Sequence, residues 1–201
     1  MVDKIWKIPV DKVIYGIQKA LYNSAYFQDL AVGHLNRIED ELKKGGTHLL
    51  NVHAVVFLYY GIEELGKAII LYEELSRAKE NRDSEITVKQ YVGDHDAKLK
   101  KAKEMYPELI IHNFQPENDW VMTELRPGVK MSQIEKFVPT GDLLSDFKER
   151  SNSWLATWYP ERSTWEEPEN FISEDQVRKV AEKLDKIIRE WHSWFKNNEL
   201  G

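Results

Sequence analysis

Residues 59–70 read Tyr-Tyr-Gly-Ile-Glu-Glu-Leu-Gly-Lys-Ala-Ile-Ile (YYGIEELGKAII), and their interpretation decides the fold. Gly61, four residues, then Gly66-Lys67 is the spacing of a phosphate-binding P-loop, and the apolar run AVVFLYY that leads into it resembles a buried strand. The position that needs a Ser or Thr hydroxyl for magnesium is Ala68, however. Two of the four residues between the glycines, Glu63 and Glu64, are glutamates that would repel phosphate at close range. No alternation of strands and helices surrounds the motif. The stretch is therefore the middle of a helix.

As a helix, residues 50–79 are apolar on most of their circumference. Leu58, Ile62, Leu65, Ile69 and Tyr72 form one stripe, and Val55, Tyr59, Gly66 and Ile70 form another. A helix apolar on two sides belongs in the centre of a bundle. Gly61 and Gly66 each cost roughly 1 kcal/mol relative to alanine, which close approach of a neighbouring helix would offset.

Outward from this segment the helical spacing continues. Pro9 and Asp11 open a first helix carrying Val13, Ile17, Ala20, Leu21, Ala31, Leu35, Ile38 and Leu42, and Gly45-Gly46 ends it. A third, more polar helix is expected from Thr87 to Tyr106, and a fourth from Asp142 to Trp158. Between them, Pro107, Pro116, Pro127-Gly128 and Pro139 exclude a long helix, so residues 107–141 form an irregular insertion. That insertion has room for a short strand or packed loop around WVMTEL (residues 120–125), and YPERSTWEEPENF reads as a loop. The capping box Ser173-Glu-Asp-Gln176 starts a last helix with Val177, Val180, Ala181, Leu184, Ile187, Ile188, Trp191 and Phe195 on one face. The expected fold class is all-α: one domain, residues 1–201, of about five helices.

Glu63 and Lys67 are an i, i+4 pair, and Glu64 stands i, i+3 from Lys67. Such residues fit a helix-stabilising ion pair on a solvated stripe. They also sit among Ile62, Leu65, Ala68 and Ile69 in a central helix, where buried charges need partners from other helices. The best partner candidate is GDHDAKLKK, in which His95 and Lys98 share a helix face. A histidine among acidic and basic neighbours suits proton transfer near neutral pH, although an ordinary polar helix surface has the same composition. His34, His48, His53, His112 and His192 show no partner pattern.

Composition narrows the chemistry. A net charge of −6 argues against a broad nucleic-acid-coating surface, while Lys98, Lys100, Lys101 and Lys103 leave room for a local basic site. The absence of cysteine excludes disulfides, thiolate metal sites and thiol nucleophiles, and suits a reducing cytosol. Neither Glu-x-x-His, nor HExxH, nor a Gly-x-Ser-x-Gly elbow occurs, so no metal or other cofactor is expected. MVDKIWKIPVDK has no apolar core of a secretory signal, and Glu63, Glu64 and Lys67 make residues 54–72 a poor membrane span. Five of the seven tryptophans fall in the last quarter of the chain. Trp154/Trp158 and Trp191/Trp194 are spaced to line helix faces, as core packing or as an interface.

Taken in order, YYGIEELGKAIILYEEL, His95-Asp-Ala-Lys98, Lys148-Glu-Arg150 and Trp165-Glu-Glu-Pro168 resemble the AbiV abortive-infection family over roughly residues 15–190. That family is similar to the HEPN superfamily of small, often dimeric all-α bundles, many of them metal-independent ribonucleases of toxin and phage-defence systems. The resemblance implies a HEPN-like bundle and a cytoplasmic bacterial protein that aborts phage multiplication by shutting down translation. Carried onto matching positions, it assigns Glu63, Glu64, Lys67, His95, Lys98 and, in addition, Arg150 to a polar cluster. It further implies a homodimer silent until a phage-encoded protein activates it. The usual HEPN signature, arginine then histidine after four to six residues, does not occur; Arg189 precedes His192 by three positions.

Two functions are consistent with these residues. In one, the protein is an endoribonuclease: His95 exchanges a proton with the ribose 2′-hydroxyl, Lys67, Lys98 and Arg150 stabilise the phosphorane, and Glu63 and Glu64 orient them. In the other it is a non-catalytic protein that blocks a translation component by binding, with the cluster holding the bundle together.

Overall fold

The computed structural model describes residues 6–42, 51–88, 94–116, 137–142, 157–159, 164–166 and 174–197. These residues are mostly helical. Strand β1 (Trp6–Pro9) leads into helix α1 (Val10–Leu42), followed by α2 (Asn51–Asn81), β2 (Glu85–Val88) and α3 (His95–Met105). Strands β3 (His112–Pro116), β4 (Phe137–Asp142), β5 (Thr157–Tyr159) and β6 (Thr164–Glu166) precede the last helix, α4 (Glu174–Asn197).

Helix α2 is the centre, as its two apolar stripes require. Along its length Leu71 faces Gly16, Gly61 faces Ser24, and His53 faces His34, so α1 runs antiparallel to it. On another side Glu63 meets His95, Gly66 meets Lys98, and Glu73 meets Lys101, so α3 runs in the same direction as α2. Helix α4 closes the bundle, with Leu184 against Gly61 and Trp191, Trp194 and Phe195 around Tyr72. Val13, Ile17, Leu21 and Leu35 of α1, Leu58, Ile62, Leu65 and Ile69 of α2, and Val177, Leu184 and Ile188 of α4 are buried. Ile38 and Leu42 have side chains outside the described set.

The expected third helix is shorter than residues 87–106. Thr87 and Val88 instead belong to β2, which pairs antiparallel with β1 in the register Trp6↔Val88 to Pro9↔Glu85. The reason is local: β-branched Ile86, Thr87 and Val88 favour an extended chain, and Ile86 and Val88 alternate into the core. Between α2 and β2 the chain turns through a Schellman motif. Arg82 adopts φ 60°, Asp83 N–H donates to the Ala78 carbonyl at 2.8 Å, and Arg82 N–H to that of Lys79 at 3.3 Å. Helix α3 then starts where Asp94 caps it: its side chain accepts from Asp96 N–H at 3.0 Å and Ala97 N–H at 3.3 Å.

Residues expected to be irregular include ordered pairing. Strand β3 pairs antiparallel with β4, from His112↔Asp142 to Pro116↔Phe137, with a register shift at Asn113/Phe114. Strand β5 pairs with β6 through Trp158↔Trp165; β6 lies inside the segment expected to be a loop, and β5 straddles its start. Asp142, Thr157 and Trp158 are therefore strand residues, which corrects both ends of the expected fourth helix. Trp158 has no helix face to share with Trp154. Residues 143–156, with Trp154 and Arg150, and residues 120–125 lie outside the described residues. The described helices number four where about five were expected.

Candidate functional site: a carboxylate shared by His95 and Lys98

Gly66 makes the site possible. A Cβ at this position would lie 1.9 Å from the Lys98 carbonyl oxygen and 2.6 Å from its carbon, so only glycine lets α3 approach this closely. Gly61 plays a milder version of the same part, its missing Cβ 3.1 Å from Leu184 Cδ2 and 3.3 Å from the Ser24 carbonyl oxygen. The Ser24 hydroxyl donates to the Gly61 carbonyl at 2.7 Å and ties α1 to α2 at this level.

With the two backbones in contact, Glu63 points at α3 from a position only 4% exposed. The Lys98 ammonium, equally buried, donates to Glu63 Oε1. His95 Nδ1–H donates to Glu63 Oε2 at 2.7 Å. Both oxygens of one buried carboxylate thus have a partner, as burial of a charge demands. An ionised carboxylate only accepts, so the proton of a neutral imidazole is on Nδ1 and Nε2 carries the lone pair. The His95 side chain is 54% exposed, while its anchor is not.

Glu64, next on the helix, points about 100° away from Glu63. It accepts from Asn23 Nδ2 of α1 at 3.0 Å and from Lys67 Nζ at 3.4 Å. Lys67 pairs with Glu64, three residues back, rather than with Glu63 at the i, i+4 spacing, because Glu63 is engaged across the helix interface. The Lys67 side chain is 28% exposed and its ion pair is long, so its charge remains partly open to solvent. Tyr59, one turn before Glu63, is buried; burial first, then the Glu63 and Asp96 charges and Tyr60, push its phenol up to about 12.

Of the six sequence-derived site residues, Glu63, His95 and Lys98 converge, Glu64 and Lys67 form a flanking pair, and Arg150 lies outside the described residues. Lys98 is spent on Glu63 beneath the surface, which makes it a positioning residue rather than a contact for a solvent-side phosphate. Within the basic run of α3, Lys101 pairs closely with Glu73 at 2.7 Å, whereas Lys100, 3.9 Å from Glu104 and largely exposed, keeps a solvated charge. Asn23 and Ser24 escaped the sequence reading because nothing local links them to residues forty positions on. A second missed contact is His34 Nε2 to His53 Nδ1 at 3.3 Å, across the α1–α2 hairpin. Desolvation, then the His53 and Arg37 charges, lower the His34 pKa.

Among the described residues, no group of three or more His, Asp or Glu side chains could hold a metal ion, and no helix is long and apolar enough to cross a membrane. Set against known protein families, characterised proteins and solved structures, the chain has no match in any of the three.

Proposed function

We propose that this chain is an abortive-infection effector of the HEPN-like kind, which stops translation in an infected bacterial cell by cutting RNA without a metal. One observation carries the reading: a half-exposed imidazole held through Nδ1 by a buried, lysine-neutralised carboxylate. A carboxylate behind an imidazole fixes its orientation and tautomer, keeps Nε2 facing outward as the base, and stabilises the imidazolium that forms. In the proposed step Nε2 takes the proton of a ribose 2′-hydroxyl as O2′ bonds to the adjacent phosphorus. The P–O5′ bond breaks and the leaving oxygen takes a proton from water. The products are a 2′,3′-cyclic phosphate and a 5′-hydroxyl.

Lys67, one turn along α2 from Glu63 and partly exposed, is assigned to the non-bridging phosphate oxygens. Glu63 and Lys98 position His95; Glu64, itself held by Asn23, pairs with Lys67. The effector acts in the cytoplasm as a homodimer, and a phage-encoded protein switches it on. Purified protein with that activator is to be incubated with transfer, ribosomal and messenger RNA in EDTA. Cyclic-phosphate ends at discrete positions are the expected result. Intact RNA alongside arrested translation would overturn the enzymatic reading.

A second reading, that the protein blocks a translation component by binding, draws on exposed aromatic surface. Tyr15, Tyr22 and Tyr26 are each more than half exposed along α1, with the Lys19 ammonium 5.8 Å and 5.7 Å from the first two ring centroids. Aromatic anchors of this type are enriched at interfaces.

A further inference from the structure

A concave feature lies at the other end of α3 from the Glu63 cluster. It is a cavity of about 320 Å³ lined by Tyr72 of α2, Met105 and Tyr106 at the end of α3, and Glu190, Trp191 and Trp194 of α4. Along α2, Tyr72 is roughly 13 Å beyond Glu63 at 1.5 Å per residue, so this is a separate place on the surface.

The walls are aromatic and set at right angles. The Tyr72 ring stands at 88° to Trp191 with centroids 5.4 Å apart, and at 84° to Trp194 with centroids 5.3 Å apart. Trp191 cannot swing away easily, because its indole N–H donates to the Tyr106 hydroxyl at 2.7 Å. Phe195, buried behind, backs both indoles at 6.0 Å and 5.1 Å. The cavity opens to solvent past Trp194, 39% exposed, and Met105.

We propose that this cavity binds an alkylated ammonium cation, such as a trimethylammonium head group, against the tyrosine and tryptophan side chains that line it, with Glu190 supplying the counter-charge. Chemical elimination selects this ligand class. Ring faces carry negative electrostatic potential and Glu190 adds a carboxylate, so an anion is repelled. A primary ammonium would give up water without enough acceptors to replace it. A quaternary ammonium has no N–H to satisfy, spreads its charge over methyl groups, and gains from ring faces and the Met105 thioether together. The volume admits the head group with part of its tail. Among the described residues Glu190 pairs with exposed Lys186 at 4.0 Å, too long and too solvated to cancel its charge. The Tyr106 phenol reports the same field: burial raises its pKa, Glu190 and Glu108 raise it further, and the Trp191 hydrogen bond opposes them.

The test is isothermal titration of the full chain with choline and with 3,3-dimethylbutan-1-ol, its neutral isostere, at matched ionic strength. Choline should bind saturably and at least about tenfold more tightly than the isostere. Trp194→Ala should weaken choline at least about tenfold while the protein stays folded at the assay temperature, and Glu190→Gln, at an exposed position, about threefold with its melting temperature unchanged. Peptides carrying trimethyllysine or plain lysine identify the source of the cation. Preference for the trimethylated peptide over choline indicates a modified protein tail, and preference for choline a free small molecule. Equal affinity for choline and its isostere, no saturable choline signal up to roughly 50 mM, or undiminished binding by Trp194→Ala overturns the proposal.

Discussion

Replacing Gly66 with alanine sets two forces against each other. Intrinsic helix propensity favours alanine in a helix interior by about 1 kcal/mol, so an isolated helix would gain. In the folded protein the added methyl would stand 1.9 Å from the Lys98 carbonyl oxygen, with that residue's carbonyl carbon and Cα also inside normal contact. These are backbone atoms, so no rotamer relieves the overlap and α3 must retreat by on the order of 1 Å. Overpacking of this severity costs about 3 kcal/mol, which leaves a net loss near 2 kcal/mol. For a chain of this length that lowers the melting temperature by roughly 4–8 °C. Urea titration followed by circular dichroism measures it. A Gly66→Ala protein as stable as the wild type, or more so, would refute the close approach of α2 and α3 and the site built on it.

Three other outcomes follow from individual contacts. Lys98→Met strands a buried carboxylate and should cost about 3–5 kcal/mol in urea unfolding, while Glu63→Gln/Lys98→Met should recover much of that loss; additive losses would deny the ion pair. Arg82 holds φ 60° at the end of α2, so Arg82→Gly should raise stability by about 1 kcal/mol; a loss would contradict the left-handed turn. The folded-state pKa of His34 lies below its unfolded value, so below about pH 6.5 the unfolded chain binds more protons and stability falls with pH. His34→Gln should shrink the drop in melting temperature between about pH 7.5 and about pH 5.5, and an unchanged drop would deny that linkage.

The helical body of the fold was legible because its signals are local. Apolar stripes on residues 50–79 put α2 at the centre, and two glycines that are poor helix formers announced a close neighbour. Beyond the room for a short strand within residues 107–141, the strands were not legible. Pairing of β1 with β2 joins residues eighty apart, and Thr87-Val88 carry only a propensity that a neighbouring helical pattern outweighs. Asp94, within GDHDAKLKK, is an N-cap, a role visible only once Val88 is seen to be extended. For the site, the sequence pointed to buried acid needing cross-helix partners, and Glu63 has them in His95 and Lys98. It did not show how partners divide: Lys67 goes to Glu64, and Lys98 goes under the surface. Those choices depend on the helix rotation that Gly66 allows, a quantity no spacing rule contains.

The central claim is that Glu63 presents His95 for proton transfer. The direct measurement is RNA cleavage and translation arrest by His95→Ala, read beside its melting temperature. Because the imidazole is half-exposed and Lys98 still neutralises Glu63, the variant should melt within a few degrees of the wild type while both activities are lost. Arrest and cleavage at wild-type levels by a folded His95→Ala protein would contradict the account.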